Sequence, residues 1–352
     1  MNSETIEKIS RVYSNLCDEE SKEVFDAKFN YILYKDENKF FEWNLQQNKD
    51  FFCPELDDYE IDNPNCEYIL FGAGDLGKKT KLIMEKCHKK IAAWSDNNIN
   101  IIGNDIEGLP VVLPGRLKEL YSGKTIIITA KNGALSIYQQ LVTMGFPRNK
   151  IIISKNGFII GCYGKQYFDM FASDGEEVFV DAGCWDGETS KEFVSWCGGS
   201  YNMIYAFEPD ENSWGRCENT FRENNINKVK LIKKGTWNKS DVLSFSGVGR
   251  GGSTIIQGKE GIYKVPVISI DEALGSDKCT FIKLDVEGSE LETLVGAREH
   301  IQKYKPKLAV SVYHKPEDLW ELGDYILKLN SDYKLYLRHY TTCNYETVLY
   351  AL

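Results

Sequence analysis

The 352-residue chain has no excess of positive charge. Lys and Arg number 42 against 52 Asp and Glu, a formal net charge of −10. That balance argues against nonspecific affinity for nucleic acid or for an anionic membrane surface. No apolar run reaches the length of a membrane span, and the polar start Met1-Asn-Ser-Glu-Thr-Ile-Glu7 does not read as a signal peptide. Paired cysteine motifs are missing too. The ten cysteines are scattered, with no Cys-x-x-Cys and no Cys/His cluster at zinc spacing. Reduced thiols in a cytoplasmic protein are the expectation. Histidine is scarce, at four residues, which makes the position of each one informative.

What is present points to a globular α/β protein. The length accommodates two domains, each with its own core. The most informative stretch is Val178-Phe-Val-Asp-Ala-Gly-Cys-Trp-Asp-Gly187, followed by Ile204-Tyr-Ala-Phe-Glu-Pro-Asp210. An apolar strand ends in Asp181 and runs into a glycine turn, and Thr189 to Trp196 then has helical spacing. Gly183 and Gly187 let the backbone bend and leave room for a ligand against the main chain. A second buried strand ends in Glu208, about 20 residues past the turn, where a carboxylate can accept both hydroxyls of a ribose. The turn lacks the compact Gly-x-Gly-x-x-Gly that seats a pyrophosphate. A nucleoside without phosphates, carrying a sulfonium beside carboxylates, suits it better, and S-adenosylmethionine is that ligand.

In chain order, residues 1–62 read as a helical N-terminal segment. Ile6, Ile9, Val12, Tyr13 and Leu16 repeat at helical spacing, and Asp18 or Ser21 caps a second helix carrying Val24, Phe25, Phe29 and Ile32. A third helix is expected over 38–47 and a polar linker over 57–64. Residues 63–155 form a small Rossmann-like unit. Strand Tyr68–Phe71 leads into Gly72-Ala-Gly-Asp-Leu-Gly77, a full Gly-x-Gly-x-x-Gly, then a helix over 78–88 and a strand ending in Asp96. Gly72, Gly74, Gly77 and Asp96 are therefore candidate nucleotide-binding residues, with structural glycines as the equal alternative. This unit holds no Tyr-x-x-x-Lys pair, which argues against short-chain oxidoreductase chemistry. Residues 154–177 connect the halves, with an aromatic segment at Tyr167–Phe171.

From Val178 onward strands are expected at 178–182, 203–208, 229–233, 279–285 and 307–313. Helices should lie near 187–196, 211–224, 289–302 and 317–329. The apolar runs at 333–338 and 346–350 are too close for an intervening helix and must pair as an antiparallel hairpin. A parallel sheet finished this way is the seven-stranded arrangement of sulfonium-dependent methyltransferases.

Several stretches resemble the FkbM family of methyltransferases: Phe179–Thr189, Ala206–Pro209, Ile270–Leu274, Phe281–Gly288, Leu308–Asp318 and the closing 337–340 with 346–351. The resemblance covers residues 165–352. It implies S-adenosylmethionine-dependent O-methylation, often of sugar hydroxyls in natural products, nucleotide sugars or glycans. The unit at 63–155 resembles small nucleotide-binding domains fused to bacterial glycan-modifying enzymes.

The candidate catalytic residues are Asp285 and Glu287, read as pointing the same way from the end of the fourth strand, and His314 at the end of the fifth. An unperturbed imidazole suits a general base near neutrality, with His339 as second choice. His88 and His300, on expected helices, read as solvated or packing residues. Candidate cofactor ligands are Asp181, Gly183, Gly187, Glu208, Asp285 and Trp237, the last packing on adenine or plugging the core. The glycine-rich 246–254, with Arg250, reads as an acceptor loop or, equally, as a hairpin tip. Ligand spacing alone demands no metal, and one at Asp285, Glu287 and His314 is left open. The rival readings are a nucleotide-sugar oxidoreductase or epimerase and a non-catalytic nucleotide-sensing scaffold. The expected partner is a small molecule or glycan, and homo-oligomerisation is left open.

Overall fold

A computed structural model describes residues 1–36, 39–40, 43–44, 47, 66–86, 88–130, 134–153, 165–246, 254–255, 263–341 and 344–352. The chain divides into two compact units. One comprises Met1–Asp36, Tyr163–Tyr340 and Asn344–Leu352, the other Glu37–Cys162 and Thr341–Cys343. The expected linker at 57–64, the glycines of 154–164, most of the third helix and the loop 247–253 with Arg250 lie outside the described residues.

In the smaller unit β1 (Glu67–Phe71), β2 (Lys90–Ser95), β3 (Asp105–Ile106), β4 (Leu109–Val112), β5 (Thr125–Ile128) and β6 (Ile151–Ile153) form a sheet of order β3-β4-β2-β1-β5-β6. All pairs are parallel except β3 with β4. Strands β1 and β5 are nearly continuous apolar runs because both faces of a parallel sheet are covered. The helix after β1 starts at Asp75, three residues earlier than expected, and His88 lies beyond its end in an exposed left-handed turn. The short β3, β4 and β6 escaped the sequence reading, since two to four residues carry too little periodicity.

The larger unit contains the seven-stranded sheet. Its strands are β7 (Glu177–Ala182), β8 (Tyr201–Phe207), β9 (Val229–Ile232), β14 (Phe281–Leu284), β15 (Lys307–Ser311), β16 (Leu335–His339) and β17 (Thr347–Ala351), ordered β16-β17-β15-β14-β7-β8-β9. The five strands from β9 to β15 run parallel, and β17 is antiparallel to both β15 and β16. The expected closing hairpin is therefore present. Between β9 and β14 the chain forms a second sheet from β10 (Gly235–Thr236), β11 (Asp241–Ser246), β12 (Thr254–Ile255) and β13 (Tyr263–Ile268), and the antiparallel pairing of β11 with β12 agrees with the hairpin alternative for 246–254.

A dense aromatic core lies against the seven-stranded sheet. Phe179 and Phe193 stack at 4.3 Å, and Phe281 meets Phe168, Phe171 and Trp196 edge-on. Burying such rings contributes roughly 1.5–3 kcal/mol each. The first two helices, Ser3–Ser14 and Glu19–Tyr34, belong to this unit. Val12 packs onto Gly323, where no Cβ stands in the way, and Lys8 bonds Glu321 at 2.8 Å. Asp18 caps the second helix and also receives Arg338, and these bonds hold its carboxyl down at about 2 against the opposing effect of burial. Among the described residues no helix is long and apolar enough to cross a membrane.

Candidate active site

The carboxyl ends of β7, β8, β14 and β15 lie side by side, because these are the sheet's central parallel strands. A crevice at such strand ends is where open α/β sheets bind ligands. Four turns follow those strands, and among the described residues every candidate of this unit except Trp237 sits at a strand end or on one of the turns.

The turn after β7 is built around a buried ion pair. Asp181 is fully buried, and its oxygens meet Ser190 Oγ at 2.7 Å and Lys283 Nζ at 3.1 Å. Lys283, equally buried on β14, also donates to the Gly183 carbonyl at 2.7 Å. Ser190 bonds Oδ2 and Lys283 stands opposite Oδ1, which makes no hydrogen bond of ordinary geometry, so the pair braces the turn from within. The tightness at the glycines is also internal. A Cβ on Gly183, at φ +80°, would stand 1.9 Å from the Asp285 carbonyl oxygen, and one on Gly187, at φ +84°, would stand 2.8 Å from Phe221. These glycines allow strand-on-turn and helix-on-turn packing.

Glu208 follows β8 and faces that turn. Its Oε2 accepts the Trp185 N–H at 2.9 Å and its Oε1 the Asp210 N–H at 2.7 Å. Each oxygen keeps a second lone pair, so two further donors can still be accepted. Burial pushes the carboxyl up to about 7, opposed by those two N–H bonds. Trp185, in the glycine turn itself, is 52 % exposed, and its ring lies 5.2 Å from the Arg216 guanidinium. Trp237 is instead buried in a cluster with Leu243 and Val267, so it plugs the core. The open indole of the site is Trp185, and its place between two glycines was the available signal.

After β14 the backbone leaves the strand at once. Asp285 to Gly288 form a turn with Glu287 at φ +54° and Gly288 at φ +93°. Asp285 and Glu287 therefore do not alternate along an extended strand. The turn nevertheless brings both carboxylates to 3.5 Å from His314 Nε2. Asp285 Oδ2 accepts Tyr167 Oη–H at 2.9 Å, and Oδ1 accepts Tyr313 Oη–H at 3.2 Å. Glu346, on the approach to β17, accepts from Gln166 at 2.7 Å, and burial raises its carboxyl. Fully buried Glu290 folds back from the first turn of the helix Glu290–Gly296. Its Oε1 accepts the Val286 N–H at 3.0 Å and lies 2.8 Å from His314 Nδ1.

His314 lies three residues beyond β15, with its side chain 10 % exposed. Burial alone would lower its pKa, but Glu290, Asp285 and Glu287 overrule that and raise it to about 9. Near neutrality the ring already carries the proton that a general base has to take up. The imidazole is thus a positive charge among carboxylates. His339 is buried with Nδ1 2.8 Å from Thr347 Oγ1, and His300 is buried against Asp271 at 2.6 Å, so both are packing residues. Lys283, Glu290, Tyr167 and Tyr313 escaped the sequence reading.

In the smaller unit the fingerprint closes on itself. A Cβ on Gly77 would lie 1.9 Å from the Gly72 carbonyl oxygen. Asp96 accepts the Ala73 and Asn98 N–H groups at 2.9 and 2.8 Å. Gly72 sits at φ +117° against Thr129, and Gly74 has no atom within 4 Å of its Cβ position.

Residues 169–341 match the family model described as the methyltransferase FkbM domain. The chain is similar to the crystal structure of methyltransferase FkbM from Methylobacillus flagellatus KT at 20% identity. That likeness covers 86% of this chain and 99% of the other, with a TM-score of 0.50, and it is one of fold. It is also similar to an rRNA methylase from Streptococcus thermophilus, at 16% identity over 51% of this chain and 86% of that one, TM-score 0.35. A third likeness is to Aeropyrum pernix fibrillarin in complex with natively bound S-adenosyl-L-methionine, at 10% identity over 51% and 67%, TM-score 0.34. The last two carry no further argument. No curated protein matches the chain.

Proposed function

Residues 169–341 are a methyltransferase FkbM domain, and from that premise we propose that the protein transfers the methyl group of S-adenosylmethionine to a sugar hydroxyl. The observation that carries the cofactor is Glu208, fixed by two backbone N–H groups across the glycine turn with two lone pairs left for a ribose diol. Trp185, exposed in the same turn, offers a face for adenine.

The acceptor follows from charge. Asp285, Glu287 and Glu346 surround the space beside His314, a setting that repels anionic groups and accepts hydrogen bonds from neutral hydroxyls. The part of the acceptor entering the site is therefore an uncharged polyol, as in a glycan or the sugar of a natural product. The sulfonium supplies an electrophilic methyl group when the cofactor is bound. Glu208 and the open face of Trp185 would hold that cofactor at its ribose and adenine. The chain must align the acceptor oxygen in line and accept its proton. Asp285, held by two tyrosine hydroxyls, orients the acceptor. Of the three carboxylates paired with His314, Glu287 has the greatest side-chain exposure, 38% against 24% for Asp285 and 0% for Glu290, and it takes the proton.

In the smaller unit Gly77 serves close packing of its helix on the strand end at Gly72, and nucleotide binding there is the second reading. Calorimetry with S-adenosylhomocysteine tests the cofactor. Mass spectrometry of a glycan pool incubated with protein and labelled cofactor tests the acceptor. No response to S-adenosylhomocysteine, with tight binding of NAD instead, refutes the reading.

A further inference from the structure

The cluster around His314 contains more unsatisfied polarity than methyl transfer requires. Donor atoms of Asp285, Glu290 and His314 lie within 4.8 Å of one another. Both ring nitrogens of His314 are buried and make no hydrogen bond of ordinary geometry, although Glu290 Oε1 stands 2.8 Å from Nδ1. Glu290 Oε2 is also buried without a hydrogen-bond partner. A nine-tenths buried imidazole is thus aimed at carboxylates it does not properly bond. Such an arrangement costs stability unless something else satisfies it.

We propose that Asp285, Glu290 and His314 bind a divalent cation that displaces the imidazole proton to solvent, with Glu287 at the rim of the site. Carboxylate oxygens together with imidazole nitrogen are a donor set suited to Mn²⁺ or Zn²⁺. Neighbouring ligands of a six-coordinate ion at about 2.1 Å stand about 3 Å apart and opposite ones about 4.2 Å apart. One ring nitrogen would serve as ligand: Nε2 stands 3.5 Å from the oxygens of Asp285 and Glu287, too long for a good hydrogen bond but near that spacing, while Glu290, whose Oε1 now meets Nδ1, supplies a donor atom within the 4.8 Å span of the three. The backbone supports the site, since the Val286 N–H orients Glu290 and the Tyr167 and Tyr313 hydroxyls orient Asp285. Ligand carboxylates held by such outer bonds are typical of built metal sites. A cation there would also lie at the carboxyl ends of β14 and β15, where the acceptor hydroxyl is placed above. The inference deepens that function by giving the acceptor oxygen a Lewis acid while Glu287 takes the proton.

The test uses the full chain after chelator treatment, titrated with Mn²⁺ and followed by electron paramagnetic resonance. One Mn²⁺ per chain is expected, with affinity falling at least about tenfold in Asp285→Asn and in Glu290→Gln. The bound ion in the unsubstituted protein should show coupling to one imidazole nitrogen, a readout that needs no variant to fold. Absence of a stoichiometric site, absence of nitrogen coupling, or unchanged affinity in both folded variants would overturn the proposal. Neither readout uses methyl transfer. Calorimetry with S-adenosylhomocysteine on the same samples separates failure of the metal site from failure of the methyltransferase reading.

Discussion

Cofactor affinity should depend on pH through Glu208. Burial raises this carboxyl to about 7, so in the empty protein it is half protonated near neutrality. Only the carboxylate can accept two ribose hydroxyls while still accepting the Trp185 and Asp210 N–H groups. Below its raised pKa, binding must first remove a proton, so affinity should fall up to about tenfold per pH unit, or about 1.4 kcal/mol. The stability of the empty chain should move the other way. A carboxyl raised in the folded state gains stability as pH falls from about 7 toward its ordinary value of 4.5, and loses it as pH rises through that window. Calorimetry of S-adenosylhomocysteine between about pH 5.5 and pH 8.5 measures the slope directly. In Glu208→Gln affinity should be weaker by roughly 1.5–3 kcal/mol at the alkaline end, about 10- to 150-fold, because charge-assisted bonds are lost. The pH slope should then flatten. A wild-type affinity constant across the window, or an unchanged slope in Glu208→Gln, would refute the assignment of Glu208 to the ribose.

The remaining predictions concern the supports of the site. Lys283→Met leaves the fully buried Asp181 with only Ser190, and urea unfolding should show a loss of about 3–5 kcal/mol; a loss below about 1 kcal/mol would show that the pair braces nothing. Gly183→Ala places a Cβ 1.9 Å from the Asp285 carbonyl at a left-handed φ. It should cost at least about 2–3 kcal/mol in the same assay and weaken S-adenosylhomocysteine binding. In the smaller unit Gly77→Ala should lower the melting temperature, since its Cβ meets the Gly72 carbonyl, while Gly74→Val, with open space around it, should fold normally. If Gly74→Val also abolishes binding of a nucleotide by this unit, the second reading of its fingerprint gains over packing.

The strands of the larger sheet were legible because parallel strands buried on both faces leave unbroken apolar runs, and the short gap before β17 left no room for a crossover. Glu208 and the Asp285 turn were legible for a related reason, as acids placed where such runs stop. The roles of Asp181 and Lys283 were not, although one signal was present. Phe281-Ile-Lys-Leu284 holds a lysine inside an otherwise apolar strand, and a fully buried ammonium needs an anion. The register aligns Lys283 with Asp181 on the adjacent strand, so the two charges answer each other across β14 and β7. Reading Asp181 as a ligand residue treated one half of that pair alone. His314 shows the same limit at the site itself. Its position after an apolar strand was visible, but its charge was not, because that depends on carboxylates 24 to 29 residues earlier in the chain. Two of those carboxylates reach it only because the chain turns left-handed at Glu287 and Gly288, so that Asp285 and Glu287 converge on one nitrogen. The charge of a residue that its type marked as a general base is therefore set by a turn that no local pattern announced.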